Sequence, residues 1–219
     1  MMEKLGDFLS SEHSVLIPDL LGHGQSDLPK IDYSIEILAD TLLDLCKSSG
    51  LDEIIYIGLN YGANLGIELA QRNPKLISHL ILLEPPIFME PWIVEAVKQQ
   101  IEDLHNYRPE WPKETVEEVI LKTTPKNCEI ARKALETTPP YVKISTFEHL
   151  LKWDHHHTFN CELPTLLVQS SHPFCKEDKA REHFTNLQVC RVLGSGPWVN
   201  LEVPQQVHVM IERFLELTS

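Results

Sequence analysis

Positive charge is scarce in this chain of 219 residues, which has 19 lysines and arginines against 32 aspartates and glutamates and a formal net charge of −13. Nucleic-acid surfaces need a basic patch, so nucleic acid is excluded as the expected partner. Long apolar runs are also missing. None approaches the roughly 18 residues of a membrane-spanning helix, and residues 1–12 lack the apolar stretch of a signal peptide. We therefore expect no membrane association.

Cysteines are few, scattered and odd in number: five occur, and no two form a C-x-x-C pair. This pattern favours free thiols in a reducing compartment over a disulfide framework, so we expect a cytoplasmic protein. The glycines do not form the G-x-G-x-x-G pattern of dinucleotide sites. We predict no cofactor and no bound metal.

Short apolar runs alternate along the chain with stretches whose apolar residues recur at helical spacing. This alternation predicts βαβ units and a mostly parallel sheet with helices on both faces. The apolar runs predict buried strands at residues 14–18, 53–58, 79–83, 164–169 and 189–193. The helical spacing predicts helices at residues 35–48, 61–72, 176–184 and 204–217.

Residues 85–160 break this rhythm, because they are helix-rich and divided by many prolines. We predict that they form a helical lid inserted into a core of residues 1–84 and 161–219. Such an insertion lies over the crevice at the carboxyl ends of the strands. Apolar lid residues that are candidates for lining a pocket, or simply for packing the lid onto the core, are Ile87, Phe88, Trp92, Tyr141, Phe147 and Trp153.

The sequence I-I-Y-I-G-L-N-Y-G-A-N-L-G at residues 54–66 predicts a buried strand, a sharp glycine-flanked turn and the start of a helix. This is the arrangement of the G-x-S-x-G turn, the nucleophile elbow, which presents a serine at the end of a strand. Here the central residue is Asn60. An amide has no ionisable proton and is a poor nucleophile, so acyl-enzyme chemistry cannot begin at this position.

Four motifs resemble landmarks of α/β-hydrolase-fold proteins, in the same order. Residues 18–27 (P-D-L-L-G-H-G-Q-S-D) resemble the family's D-x-x-G-H-G-x-S loop, and residues 58–62 resemble its nucleophile elbow. Residues 166–174 (L-L-V-Q-S-S-H-P-F) are similar to the strand and loop that deliver the triad acid. Residues 194–204 (G-S-G-P-W-V-N-L-E-V-P) resemble the loop G-x-G-H-W-x-x-x-E-x-P, which carries the catalytic histidine. The resemblance runs from about residue 14 to the C-terminus and implies an α/β-hydrolase fold.

The departures from the family pattern fall on the triad positions. Asn60 stands at the nucleophile position, His172 at the acid position in an alignment with a one-residue gap, and Pro197 at the base position. Proline has no side chain that accepts a proton, and the loss of any one triad member removes most of the triad's contribution. Of the family's oxyanion-hole donors, the resemblance implies only one here, the amide of Tyr61. It also implies that the first strands of the fold, and the H-G-x-x loop that follows one of them, are missing.

We therefore expect a non-catalytic descendant of the family, a pseudoenzyme that binds a small apolar molecule or a protein partner through the old crevice. The alternative is a hydrolase of an ester or related small substrate that uses displaced groups, for which Glu84, His172 and Ser170 are candidates. Glu84 follows a predicted strand at the point where members similar to haloalkane dehalogenases carry their acid. In that branch the nucleophile is a carboxylate, and Asn60 is isosteric with aspartate.

The missing strands carry a second implication, which concerns the edge of the sheet. A strand left without its neighbour exposes unpaired N–H and C=O groups, and such edges recruit another chain. We therefore predict self-association through an exposed sheet edge.

Overall fold

Four strands form one parallel sheet at the centre of the computed structural model, which describes residues 1–106, 124–156 and 159–218. The strands are β1 (Ile54–Leu59), β2 (Ile77–Leu83), β3 (Thr165–Gln169) and β4 (Leu187–Arg191). Their spatial order is β1-β2-β3-β4, so each strand lies beside the next one in the chain. All neighbouring pairs are parallel. The predicted α/β class, a mostly parallel sheet with helices on both faces, is confirmed.

Helices connect the strands, as parallel pairing requires. In the first half of the chain they are α1 (Glu3–Leu9), α2 (Ile35–Ser48), α3 (Tyr61–Arg72) and α4 (Pro91–His105). In the second half they are α5 (Pro125–Thr137), α6 (Pro140–His156), α7 (Glu177–His183), α8 (Val199–Glu202) and α9 (Pro204–Thr218). The predicted helices of the core are confirmed to within one residue at each end.

The two faces of the sheet carry separate apolar layers, because side chains alternate in direction along a strand. Leu80 and Leu82 of β2 belong to the layer that contains the buried residues of α2 and α3. Ile81 and Leu83 belong to the opposite layer, with Leu5 of α1 and the buried face of α9. Full burial of each such side chain contributes about 1.5–3 kcal/mol. These layers fix β2 in the centre of the fold and place its carboxyl end beside that of β1.

The strand predicted at residues 14–18 is wrong. Residues 14–18 have no regular secondary structure, and β1 is the terminal strand of the sheet. An apolar run is a strand only when a neighbouring strand supplies hydrogen-bond partners, and no neighbour is present for this one among the described residues. The other four predicted strands are confirmed, with ends that shift by up to two residues.

The region predicted as a lid contains α4, α5 and α6. Helices α4 and α6 pack against each other, and α6 also contacts α2 of the core. Residues 107–123 and 157–158 of the predicted lid lie outside the described residues. The division into a core of residues 1–84 and 161–219 with a lid of residues 85–160 stays a prediction.

Two further expectations concern cysteines and membranes. Within the described residues no disulfide joins any of the five cysteines. Among the described helices, none combines the length and the apolar character that crossing a bilayer demands.

Candidate functional site

The turn between β1 and α3 has the conformation that the G-x-S-x-G resemblance implies. Asn60 adopts φ 47° and ψ −120°, a region that non-glycine residues rarely occupy. Its N–H donates to the carbonyl of Leu83 at 2.8 Å, which binds the turn to the end of β2. Gly58 is required by close packing, because a Cβ there would lie 2.6 Å from Cα of Ala63 at the start of α3. The sharp turn therefore forms with an asparagine at its centre.

The side chain of Asn60 connects this turn to two other loops. Its Nδ2 donates to the carbonyl oxygen of Glu84 at 2.9 Å and to the carbonyl oxygen of Pro197 at 3.2 Å. A serine hydroxyl has one proton to donate, and an aspartate carboxylate has none. Only an amide of this size makes both hydrogen bonds. The nucleophile position thus holds a cross-link between the ends of β1 and β2 and the loop of residues 194–198.

Glu84 lies directly after β2 and is 0% exposed. It also adopts a positive φ, of 48°. Its carboxylate accepts hydrogen bonds from the N–H groups of Ser170 and Phe174, the second at 2.6 Å. Burial raises the pKa of Glu84 to about 7, although these donors and Arg191 act in the opposite direction. Glu84 therefore holds the loop after β3 in place and is closed to solvent.

Pro197, at the position that the resemblance gives to the base, is buried and contributes only its backbone carbonyl. Its loop is held by Glu202, whose Oε2 accepts the N–H of Gly196 at 3.0 Å. No titratable side chain takes the place of the base in these contacts. The structure therefore brings Asn60, Glu84 and Pro197 together, but in hydrogen bonds that involve backbone atoms.

His172 and Tyr61 are the remaining predicted site residues. The ring of His172 is exposed and makes no hydrogen bond within the described part of the chain; its backbone N–H donates to Ser170 Oγ at 3.2 Å. Tyr61 begins α3, and its hydroxyl donates to the carbonyl of Tyr33 at 3.3 Å. Burial raises the pKa of the Tyr61 phenol, so it stays protonated at neutral pH. The structure does not bring His172 into contact with Asn60.

The sequence did not reveal one polar group beside the turn. Asn64 lies one helical turn after Asn60, is 0% exposed, and donates through Nδ2 to the carbonyl of Pro86 at 3.2 Å. Its Oδ1 is buried and has no partner within the described residues. No local pattern indicated this role, because Asn60 lies outside α3 and the carbonyl that Asn64 contacts comes from the segment after β2.

The candidate pocket residues mostly pack the helical region onto the core. Trp153 donates to Glu68 Oε2 at 3.2 Å and stacks near Phe159, while Phe88 stacks on His183 with ring centroids 4.7 Å apart. Ile87 is also buried, whereas Trp92 and Tyr141 are exposed and Phe147 is intermediate. Two surface clefts, of about 390 and 200 Å³, are lined by other residues, and Asn60 lines neither of them.

Comparison with known proteins gives a consistent family. A model of the alpha/beta hydrolase fold matches residues 1–122. An uncharacterized protein of Mycobacterium tuberculosis is 36% identical over 75 residues, which are 34% of this chain and 22% of that protein. The protein ABHD8 of Bos taurus is 24% identical over 231 residues, which cover 97% of this chain and 52% of that protein. The matched parts therefore span less than two thirds of these relatives.

Solved structures show the same fold. A thermophilic esterase from Thermogutta terrifontis superposes with a TM-score of 0.84 at 20% identity, over 99% of this chain and 84% of that one. At this identity the likeness is one of fold.

Proposed function

This chain belongs to the alpha/beta hydrolase fold family, and we propose that within it the chain is a non-catalytic member that binds a small apolar molecule or a protein partner. The binding site is the crevice at the carboxyl ends of β1 and β2, beside Asn60. Ligands of open α/β sheets bind at this end of the strands. Fold alone cannot assign the activity, so the proposal depends on the residues of the site.

The observation that carries the proposal is the amide of Asn60. A working nucleophile needs a base that takes its proton, within about 3.2 Å. Asn60 instead donates to the two carbonyl oxygens of Glu84 and Pro197, and neither oxygen is a base at neutral pH. The position has exchanged a reacting group for a cross-link that holds the crevice together.

The crevice still offers one group that suits binding. The N–H of Tyr61 has no backbone acceptor within the described residues. A free donor beside the turn suits a ligand whose polar end accepts a hydrogen bond. Residues 85–160 are the lid of this proposal, and Tyr61 packs against an apolar cluster that contains Ile93 of α4 and Leu150 of α6.

The alternative, a hydrolase with displaced catalytic groups, depends on Ser170, Glu84 or His172. Ser170 and Glu84 are both 0% exposed, and Glu84 is occupied by the two N–H groups that it accepts. His172 is accessible, but its ring contacts neither of them through a hydrogen bond within the described residues. The contacts thus favour the non-catalytic function over the alternative.

The test is turnover of short acyl esters, such as p-nitrophenyl acetate and butyrate, by the purified protein. We expect rates equal to those of buffer, because the nucleophile and the base are both absent. Asn60→Ala is the matched control, since it removes the side chain at the centre of the crevice. Turnover above the buffer rate that disappears in Asn60→Ala would refute the non-catalytic function.

A further inference from the structure

The outer edge of β1 has no strand paired to it within the described part of the chain. The N–H groups of Ile54 and Asn60 donate to carbonyls of Leu76 and Leu83 on the β2 side. Because backbone groups alternate in direction along a strand, those of the intervening odd-numbered residues point away from β2. The residues whose N–H and C=O groups face the open edge are Ile55, Ile57 and Leu59.

Residues 14–18 cross from one face of the sheet to the other at this edge. Helix α1, which precedes them, packs on the layer of α9, and Gly6 of α1 lies against Ile17 and Val15. Helix α2, which follows them, packs on the opposite layer, and Pro18 and Leu20 line a cleft against it. The segment must therefore pass beyond β1, and it does so without pairing with that strand.

The crossing segment is exposed and apolar at the same time. Val15, Leu16 and Ile17 are 40%, 50% and 47% exposed. These three consecutive residues have apolar side chains that favour strands, and they lie in solvent beside an unpaired strand. Exposed, unpaired edges of this kind recruit another chain. Residues 13–19 carry no backbone hydrogen bond among themselves or to β1.

Residues 13–19, which include the crossing segment of residues 14–18, have a self-complementary sequence. Residues 13–19 read H-S-V-L-I-P-D, so two copies aligned antiparallel about Leu16 place Val15 opposite Ile17 and His13 opposite Asp19. Cross-strand pairs of β-branched residues stabilise antiparallel strands, and a histidine ring N–H can donate to a facing carboxylate. Asp19 uses Oδ2 to accept the N–H of Gln25 at 2.9 Å, which leaves Oδ1 to accept from His13 of the other copy.

We propose that two copies of this chain pair through residues 13–19 about a two-fold axis. Each segment enters the gap between β1 and the crossing segment of the other copy. The order across the interface is then β1, the second copy's segment, the first copy's segment, and the second copy's β1. Both sheets join into one, and both open edges are covered by a single isologous contact.

A second copy is the occupant that the charges and the shape favour. One chain supplies both halves of the contact, the unpaired edge and the unpaired segment, and the pairing closes under two-fold symmetry so that it stops at a dimer. The interface is separate from Asn60, so it stands or fails independently of the proposed binding function.

Light scattering coupled to size exclusion, over about 1 to 100 µM protein, measures the dimer dissociation constant. We expect Leu16→Lys to raise it at least about 100-fold, because two lysines meet on the axis. Val209→Lys is the matched control, since Val209 is 62% exposed on α9 and lies outside the contact. Circular dichroism melting confirms that both variants fold.

Substitution of His13 by residues of opposite charge tests the register. His13→Glu should weaken the dimer about tenfold and His13→Lys should not, because each change acts on the pair with Asp19 twice per dimer. Equal effects of the two substitutions would refute this alignment.

Disulfide trapping locates the axis. The substitutions Cys128→Ser and Cys190→Ser first remove the two cysteines that are not buried. In this background, Leu16→Cys should form a covalent dimer on mild oxidation, whereas Val209→Cys should not. A wild-type monomer at all concentrations, or a dimer that Leu16→Lys leaves unchanged, would overturn the proposal.

Discussion

Replacement of Asn60 by aspartate is the sharpest perturbation of the site, because it changes one NH₂ group into one oxygen. The amide donates to the carbonyls of Glu84 and Pro197 at 2.9 and 3.2 Å. Asn60→Asp removes both hydrogen bonds, each of which contributes about 0.5–1.5 kcal/mol net. It also turns a carboxylate toward two carbonyl oxygens that have lost their donor. We expect the free energy of unfolding to fall by about 2–4 kcal/mol at neutral pH.

Urea denaturation followed by circular dichroism measures this change, with the midpoint and the slope fitted together. Asn186→Asp is the matched control, because the Asn186 amide donates once, to the carbonyl of Glu162 at 2.6 Å, at an exposed site. There we expect a loss of no more than about 1 kcal/mol. Equal losses in the two variants would mean that the Asn60 amide does not hold the loops together.

Other substitutions probe the same site by different readouts. Asn60→Ser should give no covalent adduct with a fluorophosphonate probe, because Pro197 supplies no base; labelling at ordinary rates would reveal another base. Glu84 has a pKa raised from 4.5 to about 7 by burial, so its folded form takes up a proton that the unfolded chain releases. Relative to Glu84→Gln, the wild type should therefore lose up to about 3 kcal/mol of stability as the pH rises from about 5 to 8, and parallel profiles would contradict this. Gly58→Ala should lower the free energy of unfolding, measured by chemical denaturation, by about 3 kcal/mol, because the new Cβ clashes with Ala63. Gly62→Ala should leave this free energy unchanged or raise it, because its Cβ meets no atom within 4 Å.

The meeting of Asn60, Glu84 and Pro197 was predictable from the sequence, because motifs that follow parallel strands come together at one end of the sheet. Their hydrogen bonds were not predictable. The Asn60 amide reaches carbonyls that lie 24 and 137 residues away in the chain, and such contacts depend on the final loop geometry. The burial of Glu84 was hidden for the same reason, since its donors come from the loop after β3.

The strand predicted at residues 14–18 shows a different limit. The apolar run was read correctly as a strand-forming sequence, but a strand also needs a neighbour, which the local pattern cannot supply. The same three residues that were expected to be buried are 40–50% exposed. The proposed dimer would give this segment the partner that its sequence suits.

Retention of a strained turn does not by itself require retained catalysis. Asn60, Glu84 and Phe88 have φ between 47° and 49°, and each such conformation costs on the order of 1–3 kcal/mol. In a hydrolase such strain positions a nucleophile, but here the close contact of Gly58 with the start of α3 already dictates the turn. Asparagine is among the residues that tolerate positive φ best. Its amide also adds hydrogen bonds of about the size needed to offset the strain. Packing and hydrogen bonding are therefore sufficient to hold this turn with an asparagine at its centre.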